Sequence, residues 1–155
     1  ELFERAVDGG AVPLDQLFDH SYVPIAGTSP QQVVAPFTAL TDDLLAELQE
    51  HLLIEHDSIV FCAAVDKNGY LPTHNAKFSK PQGSDPVWNN ANCRNRRIFD
   101  DPVGLSAGQN TRPFRLMTYR RDMGGGTFTV MKDVAAPIVV CGRHWGGFRI
   151  GYKPA

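Results

Sequence analysis

A chain of 155 residues, 43% hydrophobic and 21% charged, has the size of one compact domain with its own core and is not a disordered polymer. No apolar run approaches the roughly 18–20 residues that a membrane helix needs, no leader-like start is visible, and Cys62, Cys93 and Cys141 are too few for a disulfide scaffold. The net charge of −2 hides an asymmetry: residues 1–66 hold one Arg against twelve Asp and Glu, and residues 67–155 hold fourteen Lys and Arg against five Asp. Either the acidic half packs on the basic half, or some basic side chains converge on an anion. The slightly acidic total disfavours nucleic acid as a partner.

Residues 1–57 read as helical. Leu2, Phe3, Ala6 and Val7 share a face of a short helix stopped by Gly9-Gly10, and Leu14, Leu17 and Phe18 predict another turn or two. Ser29-Pro30 has the form of a helix start, with Pro36 breaking any straight continuation. Thr41 is the expected cap of the clearest helix, whose Leu44, Leu45, Leu48 and Leu52 follow helical spacing to an end near 55–57.

Residues 58–152 change period. Ile59 to Val65 is a β-branched and aromatic run, and Asp66-Lys67-Asn68-Gly69 is a tight turn into a return strand at Tyr70, so a hairpin is expected. Cys62, inside that run, is expected to be a buried small hydrophobe. Residues 79–111 are a long connector with a short helix expected near 89–99, and Asp100-Asp101 is read as a helix end. Strands follow at 114–121 and 127–134 around Gly124-Gly125-Gly126, and at 138–141 and 145–152 around Gly142. The fold class is α+β: N-terminal helices, then an antiparallel sheet of about five strands in hairpin order.

No nucleophile elbow, phosphate-binding loop, zinc-protease motif or dinucleotide fingerprint occurs, so no enzyme is expected. His51 and His56 are five apart and do not share a helix face, and His20, His74 and His144 are scattered, so no metal site is expected.

The runs 66–75 (DKNGYLPTHN), 93–100 (CRNRRIFD), 118–122 (TYRRD), 131–138 (MKDVAAPI) and 142–149 (GRHWGGFR) resemble the periplasmic single Cache, PAS-like sensor domains of bacterial methyl-accepting chemotaxis proteins. The likeness spans roughly residues 40–152. It implies a single Cache-type fold and an extracytoplasmic domain of an inner-membrane receptor. Such a domain binds a small molecule and relays the event to transmembrane segments outside this sequence. It also implies a homodimer through the N-terminal helical part. Some relatives hold haem through Cys-x-x-Cys-His; Cys93-Arg94-Asn95-Arg96-Arg97 lacks the second Cys and the His, so no cofactor is expected. The same domain type on a histidine kinase or a diguanylate cyclase, or a metal or redox-cofactor sensor, are the alternative readings.

The PAS-like arrangement places a pocket between the sheet and the connector. Strand alternation puts Arg115, Met117, Tyr119 and Arg121 on one face, a cation and phenol surface suited to a small organic anion. His74 leaves the second strand where the connector begins, Trp88 is an expected apolar wall, and Arg94 or Arg97 is the expected guanidinium contact. Lys132 is either pocket rim or part of a cross-strand charge pattern. The expected ligand-binding set is His74, Trp88, Arg94, Arg97, Arg115, Tyr119 and Lys132. Trp145 is expected to be packing and His144 a hydrogen-bonded turn residue.

Overall fold

The computed structural model describes residues 1–155, a mixed α+β fold. In chain order the elements are α1 (Leu2–Asp8), α2 (Leu14–Leu17), β1 (Val23–Pro24), β2 (Val33–Val34), α3 (Thr38–Leu53), β3 (Ile59–Asp66) and β4 (Tyr70–Leu71). A single 3-10 turn (Ala76–Phe78) then leads to α4 (Pro86–Asn92), β5 (Arg97–Ile98), α5 (Pro102–Gln109), β6 (Arg115–Asp122), β7 (Phe128–Val140) and β8 (Arg143–Tyr152). None of the helices is long and apolar enough to cross a membrane.

The main sheet has four antiparallel strands in the order β3-β8-β7-β6. Two expectations change here. Residues 127–134 and 138–141 belong to one strand, β7, which runs through Pro137 and is irregular only between Ile138 and Val139. The expected β3–β4 hairpin does not pair: β4 bonds instead to β5, with Tyr70 opposite Ile98 and Leu71 opposite Arg97. The turn between them does form, with Gly69 donating to the Asp66 carbonyl at 3.0 Å. Gly69 has φ +81°, and a Cβ there would lie 2.2 Å from the Phe99 carbonyl oxygen, so this turn brings the connector's backbone into contact.

The helical half also departs from its sequence signals. Ser29-Pro30 starts no helix, because neighbouring chain captures this segment: Ile25 N donates to the Gln32 carbonyl and Val33 N to the Arg96 carbonyl. Pro36 precedes α3 rather than breaking a helix. Thr41 lies inside α3, and its hydroxyl donates to the Thr38 carbonyl (2.8 Å) and lies 2.9 Å from the Thr73 hydroxyl. The buried stripe of α3 is Thr38, Thr41, Leu45 and Gln49, whereas Leu48 is exposed. Polar residues can take the buried stripe because each finds a partner: Gln49 donates to the Thr73 carbonyl and accepts from Ala64 N.

Two core clusters lie against the sheet. One joins α1, α2 and α3 to Ala64, Tyr70, Val140 and Trp145; the indole of Trp145 is fully buried and donates to the Leu17 carbonyl at 2.8 Å. The other joins Ala63, Val65 and Ala135 to Leu71, Ala107 and Phe99 of the connector side. A Cβ on Gly147 would sit 2.2 Å from the Ala107 carbonyl oxygen, so the missing side chain lets α5 lie directly on β8. Cys62 is buried and free, as expected, but its thiol donates to the Gln49 carbonyl at 2.9 Å.

Candidate functional site

The connector is built differently from its expected form, and that difference makes the site. Two short helices replace the one expected at 89–99. Each opens with an Asp–Pro pair: Asp85 accepts from Val87 N and Asp101 from Val103 N, with Pro at the first helical position. Asp101 therefore begins a helix rather than ending one. Between them, residues 93–98 form an irregular turn and a strand. Arg96 adopts φ 62°, unusual for a residue with a Cβ. Its guanidinium grips Asp42 of α3 with two bonds of 2.8 and 2.7 Å and donates to the Pro72 carbonyl at 2.7 Å. Arg94 and Arg97, on either side of Arg96 in the chain, both line one cavity.

That cavity, about 320 Å³, lies between the sheet and the connector. The sheet contributes Phe61, Tyr119, Arg121 and Arg149; the connector contributes Asn90, Arg94, Arg97, Phe99 and Asp101; His74 closes one side. Its volume is at the lower end of the range for small-molecule sites.

Arg121 is only 3% exposed, yet its Nε, Nη1 and Nη2 have no hydrogen-bond partner. It stacks on Phe78 (4.5 Å) and Phe61 (5.5 Å), and burial shifts its pKa below the usual guanidinium value. Arg94 and Arg97 lie 5.0 and 4.8 Å from the Phe99 ring centre and both donate to Asn90. Burial, followed by the nearby Arg121, pushes Arg94 down to about 9. Neither has an ion-pair partner within 4.0 Å, unlike Arg149, which pairs with buried Asp133 at 2.9 Å. Burial and the neighbouring arginines hold His74 well below its usual pKa, so it is neutral, and its Nδ1 accepts from Asn75 N at 2.7 Å. The Nε2 is thus the protonated nitrogen. Burial likewise raises Tyr119, whose hydroxyl bonds to no protein group.

Of the seven residues expected from sequence, His74, Arg94, Arg97 and Tyr119 line this cavity and three do not. Trp88 is on the outward side of α4, 42% exposed. Arg115 shares the face of Tyr119, as alternation requires, but lies beside Pro102 and Ser106 of α5 and the Asn110 that ends it, which cover that end of the strand. Lys132 stands opposite Thr118 and Tyr152 in the register, on the face turned away from the connector. Sequence reasoning left out Arg149 and the aromatic floor of Phe61 and Phe99. It placed Arg121 on the correct face but did not select it. His144 is on β8 rather than in a turn, and its Nε2 is buried without a partner.

The fold and site together define an α+β domain with an arginine-lined cavity whose deepest cation has no counterion. No protein-family model and no curated protein matches the chain.

Proposed function

We propose that this domain is an extracytoplasmic sensor of the single Cache, PAS-like type, from a methyl-accepting chemotaxis protein, that binds a small organic anion without transforming it. The observation that carries the reading is Arg121, a buried guanidinium facing a cavity with every donor unused. Burying an unpaired charge costs several kcal/mol, a cost a fold accommodates where a ligand supplies the missing charge. The strand order of the main sheet, with the chain crossing from β3 to a helical connector before β6, is consistent with a PAS-like plan.

The relay follows from one short segment. Arg94 and Arg97 face the cavity while Arg96, between them, holds α3 through Asp42. A ligand that draws Arg94 and Arg97 inward pulls the same backbone that is tied to α3, so binding shifts the helix against the sheet. The shift is limited by the ligand's differential affinity for the two arrangements. A homodimer through the helical part belongs to this reading, and Leu48 and Ile54 of that part are exposed.

A thermal-shift screen against a library of small organic acids tests the binding step, since a ligand that binds only the folded state raises Tm by linkage. At least one anion should raise Tm in the wild type and not in Arg94→Gln. A library in which only neutral or cationic compounds act would refute the reading.

A further inference from the structure

We infer that the solute held by this cavity is a compact dianion, its two charges carried by one phosphoryl group or by two carboxylates, rather than a monoanion. The inference rests on the sensor reading above and adds the charge class of its ligand. Five arginines line the cavity: Arg120 stands at its exposed rim with Asp101 and Asp122, whereas Arg94, Arg97, Arg121 and Arg149 are buried or half-buried. Asp133, behind the wall, neutralises Arg149. Arg94, Arg97 and Arg121 are left without an ion-pair partner, and a monoanion supplies a single charge for the three.

Hydrogen bonding points the same way. The free groups of the wall are donors: all three nitrogens of Arg121, the unused N–H groups of Arg94 and Arg97, the Nε2 of His74 and the Tyr119 hydroxyl. The acceptors are fewer, and each already takes a bond from the chain. Asp101 takes Val103 N, Asp122 takes Gly124 N at 2.8 Å, and Asn90 takes both neighbouring arginines. A ligand rich in acceptors and poor in donors satisfies such a wall, and phosphoryl or paired carboxylate oxygens are of that kind. The volume of about 320 Å³ leaves room for a small body only.

Calorimetry on the whole domain with two matched pairs of probes separates charge from shape: succinate against succinamate, and inorganic phosphate against dimethyl phosphate. The runs use constant ionic strength and a mildly alkaline pH at which phosphate carries two charges. One dianion should bind about tenfold or more tightly than its monoanionic partner, and the pair that shows the gap identifies phosphoryl or dicarboxylate as the source. Equal or tighter binding of the monoanions overturns the dianion inference and leaves the anion sensor standing. Silence from all four probes at millimolar concentration overturns both.

Arg121→Met adds a readout that a purely structural arginine would not give. It should remove the dianion preference and raise the Tm of the unliganded domain, because a buried unpaired charge has gone. A preserved preference, or a lowered Tm with the preference intact, contradicts the assignment. Arg94→Gln, in the connector, carries the same test of preference should the Met variant not fold.

Discussion

On the side of the sheet covered by α3, the buried amides of Gln49 and Asn75 have both ends matched, joining α3 to β3 and to the residues after β4. On the connector side, Arg121 is buried nearly as deeply and has no partner at all. Both regions put polar groups out of water, and only one of them supplies what those groups need from within the chain. The first is a device for holding the fold in one register. The second, on the reading proposed above, is completed by a solute.

Substitutions should separate the two regions by what they damage. The largest effect belongs to the satisfied side: Trp145→Ala removes a fully buried indole with its hydrogen bond to Leu17 and should cost about 4 kcal/mol in urea unfolding, with anion affinity of the folded fraction unchanged. Asn75→Ala orphans the Cys62 N–H and should cost about 2 kcal/mol, again without a change in affinity. A loss of binding in either variant, measured on folded protein, would blur the comparison.

The cavity side should respond in the opposite sense. Arg97→Ala should weaken binding of the preferred probe about tenfold and Tyr119→Phe about threefold, each shifting stability by under about 0.5 kcal/mol. Unchanged calorimetric affinity in both would remove this cavity from the account.

The Asp42–Arg96 clamp lies between the regions and should give a smaller, pH-dependent effect. Burial raises the Asp42 carboxyl, but bonds from Arg96 and Thr73 outweigh it and leave the pKa lowered. Its stabilisation is therefore fully present above the unfolded value of roughly 3.9 and is lost as pH falls through the folded value. Asp42→Asn, at a half-exposed pair, should cost about 1 kcal/mol or less at neutral pH, and the gap in Tm from wild type should close in acid. A gap that widened on acidification would reverse the sign assigned here. Smallest of all, Cys141 is exposed while burial raises Cys62 and Cys93, so a thiol reagent should label Cys141 first and the other two only on unfolding.

The strands of the main sheet were legible because their evidence is local. A β-branched and aromatic run marks β3, and the glycine turn at 124–126 joins β6 to β7 where turn chemistry puts it. Alternation also placed Tyr119 and Arg121 on one face. What it could not show is that α5 covers the Arg115 end and leaves the Arg121 end open, since that depends on packing between distant segments. The starts of α4 and α5 were readable: Asp85-Pro86 and Asp101-Pro102 are the same capping signal, and Pro102 reads as a stop only if that Asp is ignored. Arg149 was harder. Its partner Asp133 is a diagonal neighbour across β7 and β8, because Arg149 stands opposite Ala135 and Asp133 opposite Gly151. The polar stripe of α3 was hidden for a similar reason, as Thr41 and Gln49 become core residues only through Thr73 and Ala64.

A crystal structure of the domain grown with selenate, a divalent oxyanion with an anomalous signal, tests most directly whether the buried guanidinium waits for an outside charge. An anomalous peak within hydrogen-bond distance of Arg121, with Arg94 or Arg97 also in contact, is the expected result. Coordinates in which Arg121 instead closes onto one of the chain's own carboxylates, with the space beneath the connector filled, would contradict it.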